Sequence, residues 1–99
     1  MTAMELDFTG ELFEWRGPPP YVFVTVPDDP SDAIREIANA VTYGWGVIPV
    51  TARIGRAEFT TSLFPKDGRY LLPVKLAVRR AERIDVGDEV AVSIDIASP

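Results

Sequence analysis

Ser31, Ser62, Ser93 and Ser98 are the serine hydroxyls from which a nucleophile could be drawn. A serine needs a neighbouring base to attack anything, and the chain contains no histidine to serve as one. Ser62 falls in a strand pattern, where a satisfied or outward hydroxyl is expected. Cysteine is also absent, which excludes disulfides and thiolate chemistry. The acidic side chains cluster twice, at Asp28, Asp29 and Asp32 and again at Asp85, Asp88 and Glu89. Hard cations need about six or more oxygens around one point, and neither cluster has calcium-loop spacing. Helix capping explains the first cluster and turn chemistry the second. Gly44-Trp45-Gly46 is the one Gly-x-Gly, and it closes a helical pattern rather than opening one, so it is no phosphate cradle. No enzyme, no cofactor and no metal site is expected.

Charge is distributed more informatively than its total of −5. Residues 1–52 are net −6, residues 53–83 net +5 and residues 84–99 net −4. The basic middle holds Lys75, Arg79, Arg80 and Arg83 within nine positions. Such a segment can contact an anion, RNA or an acidic partner, or it can lie solvated against the acidic flanks. Lys75, Arg80 and Arg83 are the candidate binding cations, with Trp45 as an aromatic anchor at a loop tip. The favoured expectation for Trp45 is that it folds back to plug one end of the barrel, since large aromatics are mostly buried. The stretch from Trp15 to Tyr21 is a further aromatic candidate. Nucleic acid is an unlikely partner for so acidic a chain, since binders usually carry a basic domain.

These residues must be positioned by strands. Glu5–Leu12 alternates with period two, putting Leu6, Phe8 and Leu12 inward. Phe13 and Trp15 fall on the other parity, which a β-bulge at Gly10 would explain. Gly17-Pro18-Pro19-Pro20 is a connection, because three successive residues lack an N–H. Tyr21–Val26 is apolar on both parities and reads as a strand covered on both faces. Asp29 as N-cap and Pro30 in the first turn start a helix, and Ala33, Ile34, Ile37, Ala38 and Val41 form its apolar stripe. Gly44 and Gly46 suit its end. Val47–Ile54 and Glu58–Phe64 flank a compact turn at residues 55–57, and Asp67-Gly68 is a strong hairpin signal. Residues 76–83 read as a short helical turn with Leu76, Val78 and Ala81 toward the core. Asp85–Asp88 is a tight turn, and Glu89–Ile96 alternates without a break, with Val90, Val92, Ile94 and Ile96 inward.

Several motifs follow one another closely: Ile54-Gly-Arg56, Thr61-Ser-Leu-Phe-Pro65, Asp67-Gly68, Leu72-Pro-Val-Lys75, Val78-Arg79 and Ile84-Asp-Val-Gly-Asp-Glu-Val90. With Phe8-x-Gly10 and the Tyr21–Val26 strand, this order resembles a bacterial family of small β-barrel domains of unknown function. That family is found alone or ahead of a bacteriocin-protection domain. The resemblance implies a double-split β-barrel and assigns no catalytic residue. A more distant likeness links residues 72–90 to the AbrB/MazE-type swapped-hairpin transcription factors. In those proteins a Pro-x-x-x-Arg turn and a Gly-Asp turn bracket a short helix. Here Pro73 and Arg79 stand two residues further apart than in that pattern. The likeness implies structural roles for Arg79 and Gly87.

The expectation is one domain over residues 1–99: mainly β, a small six-stranded barrel with one amphipathic helix and one short helical turn. The chain opens Met-Thr-Ala-Met-Glu, without a signal-peptide pattern, and no apolar run nears the ~18–20 residues that cross a bilayer. A cytoplasmic, non-catalytic binding or interaction module is therefore expected, monomeric or homodimeric and away from membranes, with an unidentified ligand or protein as partner. A nucleic-acid-binding regulator is the alternative.

Overall fold

The computed structural model describes residues 2–15, 21–41 and 47–97. Six strands are formed: β1 (Thr2–Trp15), β2 (Tyr21–Val26), β3 (Ile48–Ile54), β4 (Ala57–Lys66), β5 (Arg69–Pro73) and β6 (Glu89–Ala97). They close into an antiparallel barrel in the order β1-β2-β5-β4-β3-β6. Helix α1 (Asp28–Val41) follows β2, and α2 (Leu76–Glu82) lies between β5 and β6. This is the mainly β, six-stranded architecture that the alternation predicts.

Two long strands make closure possible. β1 pairs with β6 as far as Glu11 and with β2 from Leu12 onward. β4 pairs with β3 as far as Leu63 and with β5 from Phe64. Each bends from one side of the barrel to the other, so the ladder ends on itself. Gly10 sits next to the first of these bends, but it forms no bulge. The register runs unbroken from Met4↔Ile96 through Gly10↔Val90, and its one shift lies between Thr2 and Met4. Gly10 is needed for close approach instead. A Cβ there would stand 2.6 Å from Val24 Cγ1 and 3.2 Å from the Thr25 carbonyl oxygen. Phe13 and Trp15 therefore need no bulge; they belong to the outer face.

The core gathers Phe8 and Leu12 of β1, Val24 and Val26 of β2, and inward residues of the other strands. Val90, Val92, Ile94 and Ile96 are all buried, as the alternation of β6 requires. Asp67 and Gly68 both adopt positive φ, 51° and 80°, which is the twist-matched form of a two-residue hairpin turn. The β3–β4 turn is shorter than expected, because Ala57 already belongs to β4. The Arg56 amide there donates to Glu82 Oε1 of α2 at 3.2 Å.

α1 begins at Asp28, one residue before the expected cap at Asp29. Ile34 is fully buried and Ile37 packs on the core, so the helix covers the barrel. The side chains of Ala38 and Val41, and the expected stop at Gly44 and Gly46, lie outside the described residues. Three residues of α1, Ser31, Arg35 and Asp28, fasten it to the barrel. Ser31 Oγ donates to the Val26 carbonyl at 2.9 Å and accepts from the Tyr70 amide at 3.3 Å. Arg35 reaches the Gly68 carbonyl. Arg69 donates to both carboxylate oxygens of Asp28, at 2.6 and 3.3 Å. This last pair is exposed, so its hydrogen bond and charge act in high dielectric.

Arg69 nevertheless holds the Asp28 carboxyl below its ordinary value, through its hydrogen bond first and its charge second. A folded-state value below the unfolded one stabilises the protein above the ordinary aspartate range. That contribution disappears as pH falls through the lowered value. An NMR titration should find Asp28 more acidic than a free aspartate, and Arg69→Gln should return it to the ordinary value. An unchanged Asp28 titration in that variant would remove Arg69 as the cause.

Candidate functional site

The outer face of β2, β5 and β4 is built from cross-strand neighbours. Phe13 stands opposite Phe23, which stands opposite Pro73. One row along, Thr25, Leu71 and Phe64 are aligned. Same-face neighbours on adjacent strands touch, so aromatic residues from three separate segments become one surface. The Phe23 ring centroid is 6.1 Å from those of both Phe13 and Tyr21, with tilted planes.

This surface walls a groove of about 940 Å³. Trp15, Tyr21, Phe64 and Leu76 line it while remaining 41%, 52%, 43% and 49% exposed. Leu71 on the same face is buried, yet it stands apart from the barrel core. The volume lies within the ~300–1,000 Å³ of small-molecule clefts, and apolar walls with a few polar groups are their usual make-up. Large apolar side chains left together at a surface mark a contact site.

The polar part of the lining is cationic. Lys66, Lys75 and Arg79 belong to it, and no Asp or Glu among the described residues does, although Asp67 lies 4.0 Å from Lys66 just outside it. Lys66 Nζ lies 4.2 Å from the centroid of the Trp15 ring, a cation–π distance that holds the indole. Lys75 occupies the N-cap of α2 in extended conformation, and its side chain makes no cap hydrogen bond. Arg79, four residues on, donates from Nε to the Val74 carbonyl at 3.2 Å. Two cations at i and i+4 on a helix repel, and here neither makes a salt bridge among the described residues.

Of the candidate residues, Lys75 therefore lines the groove. Arg80 and Arg83 are exposed and do not line it. Trp45 lies outside the described residues. Arg79 is half-buried and held by the carbonyl of Val74, the residue after β5. Gly87 takes φ 95° in that turn, and its amide donates to the Leu12 carbonyl at 2.9 Å. The expected inward trio of α2 is corrected: Val78 is buried, but Leu76 and Ala81 face outward. In so short a helix one residue reaches the barrel, and Leu76 is released to the groove.

Tyr21 and Phe23 correct a further expectation, since the outer face of β2 is not covered by a second layer. The aromatic stretch starting at Trp15 had signalled part of this site. Phe23, Phe64, Leu71 and Lys66 carried no signal of their own, because their convergence depends on strand order.

A second hollow, of about 480 Å³, lies over β1, β3 and β6 and is polar. Its polar side chains are partly engaged, with Asp95 Oδ1 beside it buried and without a hydrogen-bond partner among the described residues. Ser93 Oγ donates to Asp7 Oδ1 at 2.6 Å, and Arg53 meets Asp95 at 3.0 Å. Both carboxylate clusters are likewise engaged. Asp28 and Asp32 meet Arg69 and Arg35, while Asp85 and Asp88 accept from the amides of Val86 and Asp85. No group of three metal-ligating side chains occurs among the described residues.

Replacing Arg79 by alanine should lower the melting temperature by about 4–8 °C, if its bond to Val74 contributes ~1 kcal/mol in a domain of this size. Arg80→Ala and Arg83→Ala should each change it less. Equal melting temperatures for all three variants, followed by differential scanning calorimetry, would remove the positioning role of Arg79.

The fold and site define a class: a small closed antiparallel β-barrel carrying an apolar, cation-lined groove on its outer face. The chain belongs to the family described as Domain of unknown function (DUF1905), whose model matches residues 8–94. No curated protein matches the chain. No helix among the described residues is long and apolar enough to cross a membrane.

Proposed function

We propose that this domain is a non-catalytic binding module whose contact surface is the groove on β2, β5 and β4. The observation that carries the reading is the concentration of Trp15, Tyr21, Phe64 and Leu76 at one exposed place. Keeping such side chains out of the core leaves apolar area in water, which binding would remove at roughly 25 cal/mol per Å². A non-catalytic role is supported by the lining itself. Among the described residues its lining holds lysines, an arginine and hydroxyls but no carboxylate or imidazole, and Asp67, which lies 4.0 Å from Lys66, is outside that lining. A cysteine-free chain suits the reducing cytoplasm, where we place it.

Amide chemical shifts of the labelled protein, titrated with small neutral probes such as indole and cyclohexanol, test this reading. Shifts should concentrate at Phe23, Phe64, Leu71 and Leu76 and spare Asp7 and Ser93. Scattered shifts, or shifts at the polar hollow, would overturn it.

A second reading, a nucleic-acid-binding regulator, is favoured by one observation: Lys75, Arg79, Arg80 and Arg83 make no salt bridges among the described residues. Against it stands the charge of −5, which repels phosphate at long range. Duplex DNA should show no sub-micromolar binding at physiological salt in a fluorescence titration. Tight binding with a steep salt slope would promote this second reading.

A further inference from the structure

We infer that the groove takes an amphipathic anion, an apolar or aromatic body of small-molecule size carrying one carboxylate, sulfonate or phosphate. The inference rests on the groove being the binding surface and adds the charge and shape of what enters it. Three features combine. The walls are aromatic and aliphatic, so the body of the ligand is apolar. Lys66, Lys75 and Arg79 contribute three positive charges to the lining and no Asp or Glu among the described residues joins them there, in a chain with 15 acidic against 10 basic residues. The chain pairs Arg35, Arg53 and Arg69 with carboxylates and sets Lys66 4.0 Å from Asp67, whereas Arg56, Arg80 and Arg83, outside the groove, make no salt bridge among the described residues. At the groove it places Lys75, the N-cap of α2, and Arg79, four residues on, and neither meets a carboxylate among the described residues.

An anion between those two cations relieves their mutual repulsion. It also accepts hydrogen bonds from the ammonium and from the guanidinium N–H groups that the Val74 carbonyl leaves over. The head is then held beside α2 while the body lies against Phe23, Phe64 and Leu71. A neutral ligand would leave the cations uncompensated and a cationic one would be repelled. A nucleic-acid strand would bring several phosphates to a protein whose net charge opposes them.

Two fluorescent probes with the same aromatic frame separate the possibilities. Anilinonaphthalene sulfonate carries an anionic group, and phenylnaphthylamine lacks it. Both should shift the amides of Phe23, Phe64, Leu71 and Leu76 in the full chain. The sulfonate should bind about tenfold more tightly at low salt, the worth of one charge-assisted hydrogen bond, and the ratio should shrink as salt is added. Lys75→Gln should bring the two affinities to within about threefold without weakening the neutral probe. Arg56→Gln, a cation removed from the β3–β4 turn, should leave the ratio unchanged.

Equal affinities at the groove would overturn the anionic head and leave the binding surface standing. Shifts elsewhere, with the groove amides silent, would overturn both. A short oligothymidylate that bound the groove more tightly than the sulfonate would also overturn the inference and reassign the surface to single-stranded nucleic acid.

Discussion

Val92→Asp should abolish the stable fold. Val92 is 2% exposed and lies between two strands, opposite Phe8 of β1 on one side and Ile54 of β3 on the other. A carboxylate at that position would lie in an apolar core, where Ser31 is the one buried polar residue among the described residues. Burial of an unpaired charge costs several kcal/mol, against a total stability of ~5–15 kcal/mol for a typical domain. Ala91→Asp, one residue earlier and facing outward, should stay within about 0.5 kcal/mol. Denaturant unfolding followed by fluorescence compares the two. Burial raises the folded-state pKa of the introduced carboxyl, so any residual stability of the Val92 variant should be greatest at low pH. It should fall as pH rises from the unfolded toward the folded value, and remain low above it. A loss below ~1 kcal/mol, or equal losses at both positions, would show that β6 does not present this face to the core.

That prediction is legible from residues alone because period-two alternation decides both faces of a strand at once. Slipping β6 by one residue would turn Glu89 and Asp95 into the apolar core, away from Arg53, which meets Asp95 on the outer face. The hairpin at Asp67-Gly68 is legible for a related reason: both residues accept the positive φ that a two-residue turn demands. The groove is a different case. Alternation says which residues share a face, but not what lies across from it. Tyr21 and Phe23 therefore read as covered, although in the structure they form the wall of an open groove. Phe13 and Trp15 suggested a displaced register at Gly10, whereas their parity is that of an outer face continuous with β2. Only the strand order, with β5 between β2 and β4, brings Phe64 to the same place as Phe23.

α2 shows the limit of a helical stripe. Over two turns an apolar stripe can name Leu76, Val78 and Ala81, but the barrel surface above β4 accepts only one of them. Leu76 is displaced toward the groove because Glu82 engages the Arg56 amide and Arg79 the Val74 carbonyl. Those two polar contacts set the rotation of the helix about its axis. They also set the side of the barrel on which Lys75 and Arg79 emerge, so the cations of the groove depend on bonds that no periodicity encodes.

Ser31→Ala should have the second large effect. The hydroxyl has no histidine to make it a nucleophile, but it is fully buried and bonded on both sides. It donates to the Val26 carbonyl at the end of β2 and accepts from the Tyr70 amide on β5. A small hydroxyl thus joins α1 to two strands beneath the helix. The alanine variant leaves a buried amide without this acceptor and a buried carbonyl without this donor. An unsatisfied buried group costs ~1–3 kcal/mol, so the expected loss is about 2–3 kcal/mol, or some ten degrees in melting temperature. Ser62→Ala on β4, where the side chain is half-buried on the outward parity beside the core residue Leu63, should be nearly neutral. Hydrogen exchange adds a local readout, since the Tyr70 amide should lose protection in the Ser31 variant beyond what the global loss predicts. If Ser31→Ala were as silent as Ser62→Ala, the helix would be held by Ile34 and the Asp28–Arg69 pair without it. The sequence position of the hydroxyl offers no hint of this role: it lies in the first turn of α1, where serine is common for capping, and its partners are 5 and 39 residues away.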